Sequence, residues 1–64
     1  MPVVIVEMWE GRTIEQKQQL VADITSALMK VGATRESVQI ILKDNPKHNW
    51  AIGGTLASGE SPEK

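Results

Sequence analysis

The sequence predicts an α+β fold: a single β-α-β unit with two parallel strands, one long helix and a small carboxy-terminal hairpin, assembled as an oligomer. Three observations carry this. Between Pro2 and Lys43, a β-branched apolar run, an amphipathic stretch and an alternating apolar run follow one another, the pattern of parallel strands joined by a right-handed crossover helix. A short apolar patch followed by Gly53-Gly54 is a hairpin-type turn signal. The chain has 64 residues, no cysteine and one histidine, His48, so neither disulfides nor a metal cage can staple so small a core. Ordering each residue costs on the order of 1.5 kcal/mol, which nearly cancels what one small core returns. Partner subunits are the remaining staple.

The first strand is read from Pro2 to Met8, around Val3, Val4, Ile5 and Val6; continuous β-branched character fits a strand covered on both faces. Trp9, Glu10 and Gly11 are expected to leave the strand, with Gly11 supplying the turn and Arg12 standing before the next element. Thr13-Ile14-Glu15-Gln16 matches a capping box. Beyond it Leu20, Val21, Ile24, Ala27, Leu28 and Val31 line one face of a helix running from about Ile14 to Val31, with Lys17, Gln18, Asp23 and Lys30 opposite. Gly32 stands where a helix takes a left-handed cap. Thr34 to Ser37 reads as a short connection or a single helical turn.

From Val38 to Lys43 the chain alternates, with Val38, Ile40 and Leu42 on one face and Gln39, Ile41 and Lys43 on the other. Asn45-Pro46 ends this second strand, since proline cannot donate to a central ladder. Trp50-Ala51-Ile52 leads into the Gly53-Gly54 turn, and residues 59–64 are expected to fray. One helix covers only one face of a two-stranded sheet, so the other face and both edges need neighbouring subunits. The whole chain, 1–64, is read as a single domain.

Seven basic and eight acidic residues give a formal net charge of -1, without the basic stripe that nucleic-acid or membrane-surface partners need. No secretory leader pattern or run of transmembrane length is present, and a cytoplasmic location is the expectation.

Met1-Pro2 leading into a strand, Glu10-Gly11-Arg12-Thr13 followed by Glu15-Gln16-Lys17, the strand Val38 to Leu42, and Trp50-Ala51-Ile52-Gly53-Gly54 together resemble the 4-oxalocrotonate tautomerase family, whose members work through an amino-terminal proline. The resemblance spans almost the whole chain. It implies a hexamer built as a trimer of dimers and a cofactor-free enzyme acting on 2-hydroxy-dienoates and related enol or keto acids. The catalytic base is then Pro2 once Met1 is removed.

The chemistry fits so small a protein. Moving a proton between enol oxygen and carbon needs a base poised near the working pH, and no cluster of His, Glu or Lys supplies one. A free amino-terminal proline is a rigid secondary amine, and burial beside Val3, Val4, Trp9 and Trp50 would disfavour its protonated form. In a Met-Pro amide that nitrogen is not basic, so Met1 must leave first. The resemblance assigns Arg12 to a substrate carboxylate, which a planar guanidinium can grip with two hydrogen bonds, and Trp50 to an aromatic wall that keeps the pocket dry. Trp9, the other aromatic, is a pocket-wall or interface residue. Because the family builds each site from more than one subunit, Arg12 and Trp50 are expected to serve a neighbour's Pro2.

Gln39 departs from the pattern, since many members carry an arginine there. A glutamine donates a hydrogen bond without charge, so stabilisation of a developing enolate oxygen should weaken. Lys43, on the same strand face, lies roughly 13 Å away along the strand. Two rival functions share the fold. One is a hydratase or dehalogenase using Glu7 or Asp44 to activate water. The other is a non-catalytic subunit of a mixed oligomer.

Overall fold

The computed structural model describes residues 1–59. Strand β1 runs Val3–Trp9, helix α1 Ile14–Lys30, strand β2 Gln39–Asn45, and a hairpin follows from β3, Ala51–Ile52, and β4, Thr55–Leu56. Single 3-10 turns occupy Arg35–Ser37 and Lys47–Asn49. β1 and β2 pair in parallel with Val3 opposite Gln39 and Trp9 opposite Asn45; β3 and β4 pair antiparallel.

α1 starts where the capping box places it. The Gln16 amide N–H donates to Thr13 Oγ1 at 3.1 Å, and the Thr13 N–H donates to Gln16 Oε1 at 2.9 Å. At the other end the N–H of Ala33 donates to the Leu28 carbonyl and that of Gly32 to the Met29 carbonyl. This paired closure needs a positive φ at the residue after the cap, and Gly32 adopts φ 112°. Gly53 and Gly54 adopt φ 61° and 86°, as a tight two-residue hairpin requires.

The sheet is two-sided in the expected way. Val4, Val6 and Met8 of β1 and Ile40 and Leu42 of β2 are half-buried or buried, whereas Val3, Ile5, Gln39, Ile41 and Lys43 are exposed. α1 covers the first set, and Lys17 Nζ reaches across to Asp44 Oδ2 at 2.5 Å. Only Met8, 7% exposed, is buried among the described residues, while Val3, Ile5 and Ile41 remain 52%, 55% and 46% exposed. The Cα radius of gyration is 15.7 Å, against about 11 Å for a compact chain of this length.

Several boundaries differ from the sequence reading. Trp9 belongs to β1, because the ladder continues through its pairing with Asn45 and the Glu10 N–H still donates to the Asn45 carbonyl. β2 accordingly runs to Asn45 instead of Lys43 and begins at Gln39. Val31 is the cap of α1 and stands 81% exposed, and Ala27 is exposed too; the sheet is too narrow to cover the last turns. Lys17 turns towards the sheet, drawn by Asp44, instead of lying on the far face. The Lys47–Asn49 turn was not expected. Gly59 is held by its N–H to the Leu56 carbonyl at 2.9 Å, and the rest of the tail expected to fray lies outside the described residues.

Candidate active site

Pro2 is half-buried at the head of β1. Proline has no N–H to give a ladder, so its carbonyl does the anchoring: it accepts from the Gln39 N–H at 3.0 Å. The parallel register thereby fixes Gln39 beside Pro2. The Gln39 side chain turns to Met1, its Nε2 donating to Met1 Sδ at 3.1 Å. Thioether sulfur is a weak acceptor. Loss of Met1 would expose the proline nitrogen and release the glutamine amide together.

The remaining candidates gather at the opposite end of the sheet. Trp9 closes β1, and its carbonyl accepts from Arg12 Nη1 at 3.0 Å, which folds the guanidinium back over the Glu10-Gly11 turn. Gly11 permits that turn with φ 122°. Trp50 follows the 3-10 turn Lys47–Asn49, tied by its N–H to the Lys47 carbonyl at 3.2 Å and by its carbonyl to the Ala57 N–H at 2.7 Å. This seats its ring edge-on to that of Trp9, with centroids 5.8 Å apart and planes at 73°. Aromatic rings favour this edge-to-face arrangement. Lys47 Nζ caps the cluster 4.8 Å from the Trp9 ring centroid.

The five sequence-predicted residues thus fall into two groups, Pro2 with Gln39 and Arg12 with Trp9 and Trp50. From Pro2 to Trp9 the extended strand spans about 23 Å, so one chain does not bring the groups together. A cleft of about 340 Å³ lined by Arg12, Gln16, Gln19, Leu20 and Asp23 runs along α1. It contains neither Pro2 nor a tryptophan, and Asp23 there accepts a hydrogen bond from Gln19.

Two other groups weighed from sequence are engaged elsewhere. Glu7 accepts from Asn45 Nδ2 at 2.9 Å and lies 3.9 Å from Lys43 Nζ, while Asp44 holds Lys17. Sequence reasoning overlooked Lys47 and Asn45. Asn45 Nδ2 also approaches the Met8 and Lys43 carbonyls, at 3.3 and 3.2 Å, and so pins the sheet end from which Arg12 projects.

A family model described as tautomerase enzyme matches residues 2–59. The chain belongs to the tautomerase family. The 2-hydroxymuconate tautomerase of Comamonas testosteroni is 41% identical over 58 residues, covering 89% of this chain and 92% of that one. A 4-oxalocrotonate tautomerase isozyme from Methylibium petroleiphilum superposes with a TM-score of 0.85 at 42% identity, over 91% of this chain and 95% of that one. A heterohexameric 4-oxalocrotonate tautomerase from Chloroflexus aurantiacus superposes with a TM-score of 0.84 at 27% identity, again over 91% and 95%. The β-α-β unit with its small antiparallel hairpin is the fold of these neighbours.

Proposed function

We propose that this tautomerase moves a proton between enol oxygen and carbon in small enol acids, with Pro2, freed of Met1, as general base and acid. The observation that carries the reading is the seat of Pro2. With Met1 attached it sits half-buried at the head of a strand, held through its own carbonyl by the Gln39 N–H, and loss of Met1 makes it a rigid secondary amine. Apolar cover over the freed amine, supplied by the end of a neighbouring subunit, would disfavour the ammonium form and bring its basicity towards the working pH. No cofactor enters, since the proline nitrogen takes the proton from the enol oxygen and returns one to carbon.

Substrate binding falls to the other end of the sheet. Arg12 would grip the carboxylate of the acid, and Trp9 and Trp50 would wall the conjugated chain from water. With roughly 23 Å between these residues and Pro2 of the same chain, the complete site needs the far end of one subunit against the near end of another. A homo-oligomer of this kind, a hexamer by analogy with the family, also covers the apolar sheet face. Gln39 offers the enolate oxygen an uncharged donor, which lowers turnover on dicarboxylate enols without changing the reaction class.

The test is an intact mass of the purified protein, followed by ketonisation of 2-hydroxymuconate and phenylenolpyruvate by the same sample. Loss of the Met1 mass with ketonisation above the uncatalysed rate is the expected result. A trimmed protein that turns over neither enol refutes the reading and favours a non-catalytic partner in a mixed oligomer.

A further inference from the structure

The cation Lys47 is not absorbed by the fold. Lys17 and Lys43 lie against Asp44 and Glu7, whereas Lys47 meets no carboxylate among the described residues and rests over the face of Trp9, 4.8 Å from the ring centroid. Arg12 is attached to the same residue through the Trp9 carbonyl, which accepts from its Nη1 at 3.0 Å. Arg12 also has no carboxylate partner among the described residues, and Glu10, its near neighbour in sequence, forms no ion pair with either. Two cations thus converge on one tryptophan, whose ring packs edge-on against the only other aromatic, Trp50, at 5.8 Å. An unpaired ammonium over the Trp9 ring and an unpaired guanidinium tied to the carbonyl of the same residue suit a conjugated acid carrying a negative charge at both ends.

We propose that Lys47 is a specificity-determining residue that receives the second carboxylate of a conjugated dicarboxylate, while Arg12 holds the first. The inference rests on reading Arg12 and the two tryptophans as the substrate-binding end of the site. A guanidinium presents a fixed fork, whereas an ammonium is a point charge on a flexible stem. Arg12 therefore sets the orientation of the acid and Lys47 follows its far end. An exposed cation over an indole is held weakly, so an arriving carboxylate can draw it off the ring without undoing the fold. The second positive charge comes from the β2–β3 connection, and not from β2, where Gln39 has none. Recognition of the dianion and stabilisation of the enolate oxygen are then carried by different residues.

The experiment is a titration of tryptophan emission. Trp9 and Trp50 are the only tryptophans and the chain has no tyrosine, so the signal comes from this cluster alone. The probes are trans,trans-muconate and sorbate, which share a six-carbon diene and differ by a carboxylate in place of a methyl group. The full-length protein should bind muconate more tightly than sorbate. Lys47→Gln should weaken muconate binding roughly fivefold, the strength of an accessible ion pair, and leave sorbate unaltered. Lys47→Arg should restore the preference. In turnover the loss should fall on KM for 2-hydroxymuconate, with kcat and the phenylenolpyruvate reaction unchanged. Equal affinity for the two probes, binding of neither, or equal weakening of both by Lys47→Gln overturns the assignment. Because the titration needs no catalysis, a protein that binds muconate through Lys47 yet ketonises nothing refutes the proposed reaction and leaves the binding role of Lys47 standing.

Discussion

Pro2 and Gln39 meet because a parallel ladder needs a partner for the Gln39 N–H, and the only carbonyl in register is that of Pro2. Pro2→Ala keeps this carbonyl and exchanges the cyclic secondary amine for a flexible primary one. The expected outcome is a fall in kcat of roughly a hundredfold or more, the scale of general acid–base catalysis, with the oligomer unchanged by sedimentation. Full activity in that variant would remove Pro2 from the mechanism. Gln39→Arg should act in the opposite sense. A charged donor at this position raises kcat on 2-hydroxymuconate by about tenfold, a conservative fraction of what a preorganised oxyanion donor contributes, and steady-state kinetics on the trimmed protein measures it. Identical kcat values for variant and parent would place Gln39 away from the enolate oxygen. These residues were proposed from the resemblance carried by Pro2 and the Glu-Gly-Arg turn, and the parallel register places Gln39 beside Pro2. Lys47 was not, since nothing in a Pro-Lys-His-Asn sequence says that its ammonium lies over the ring of Trp9.

At the scale of elements, the helix ends carry local stability that one subunit can supply by itself. The Thr13 hydroxyl satisfies the Gln16 N–H, one of the orphan donors of the first turn. Thr13→Ala should cost about 1 kcal/mol, measured by urea denaturation at fixed protein concentration; no shift in midpoint would mean that water replaces the cap without loss. Arg12 stands immediately before Thr13, so fraying of the first turn should also loosen the guanidinium. The helix start, the Gly32 closure and the two faces of β2 were readable because each depends on neighbours within a few residues. The extent of β1 and β2 was not. Trp9 looked like a loop residue beside Glu10 and Gly11, and it is a strand residue because Asn45, far along the chain, completes its pairing. Val31 fitted the helical period and is nevertheless exposed, since periodicity tells which side a residue faces and not whether anything lies there.

On the scale of the molecule, the sheet has one face under α1 and one without cover. Val3, Ile5 and Ile41 stand about half exposed on that open face, with the Glu7–Lys43 pair at its far end. Completing the burial of each aliphatic side chain would add roughly 1 kcal/mol, about half the value of burying one from full exposure. A single subunit has Met8 as its only buried apolar residue among those described, so these contributions are large beside the few kcal/mol that a core of this size supplies. Subunit association and folding should therefore be one event, with an unfolding midpoint that rises with protein concentration. Ile5→Lys places an ammonium in the centre of the open face without touching Pro2, Arg12 or either tryptophan. If the face is an interface, the variant sediments as smaller species, unfolds at lower temperature and loses ketonisation, because the two ends of the sheet can no longer come from different subunits. Should Ile5→Lys keep the parent's size and activity, the face is solvent-exposed in the working protein, and the halves of the site must be joined by another surface.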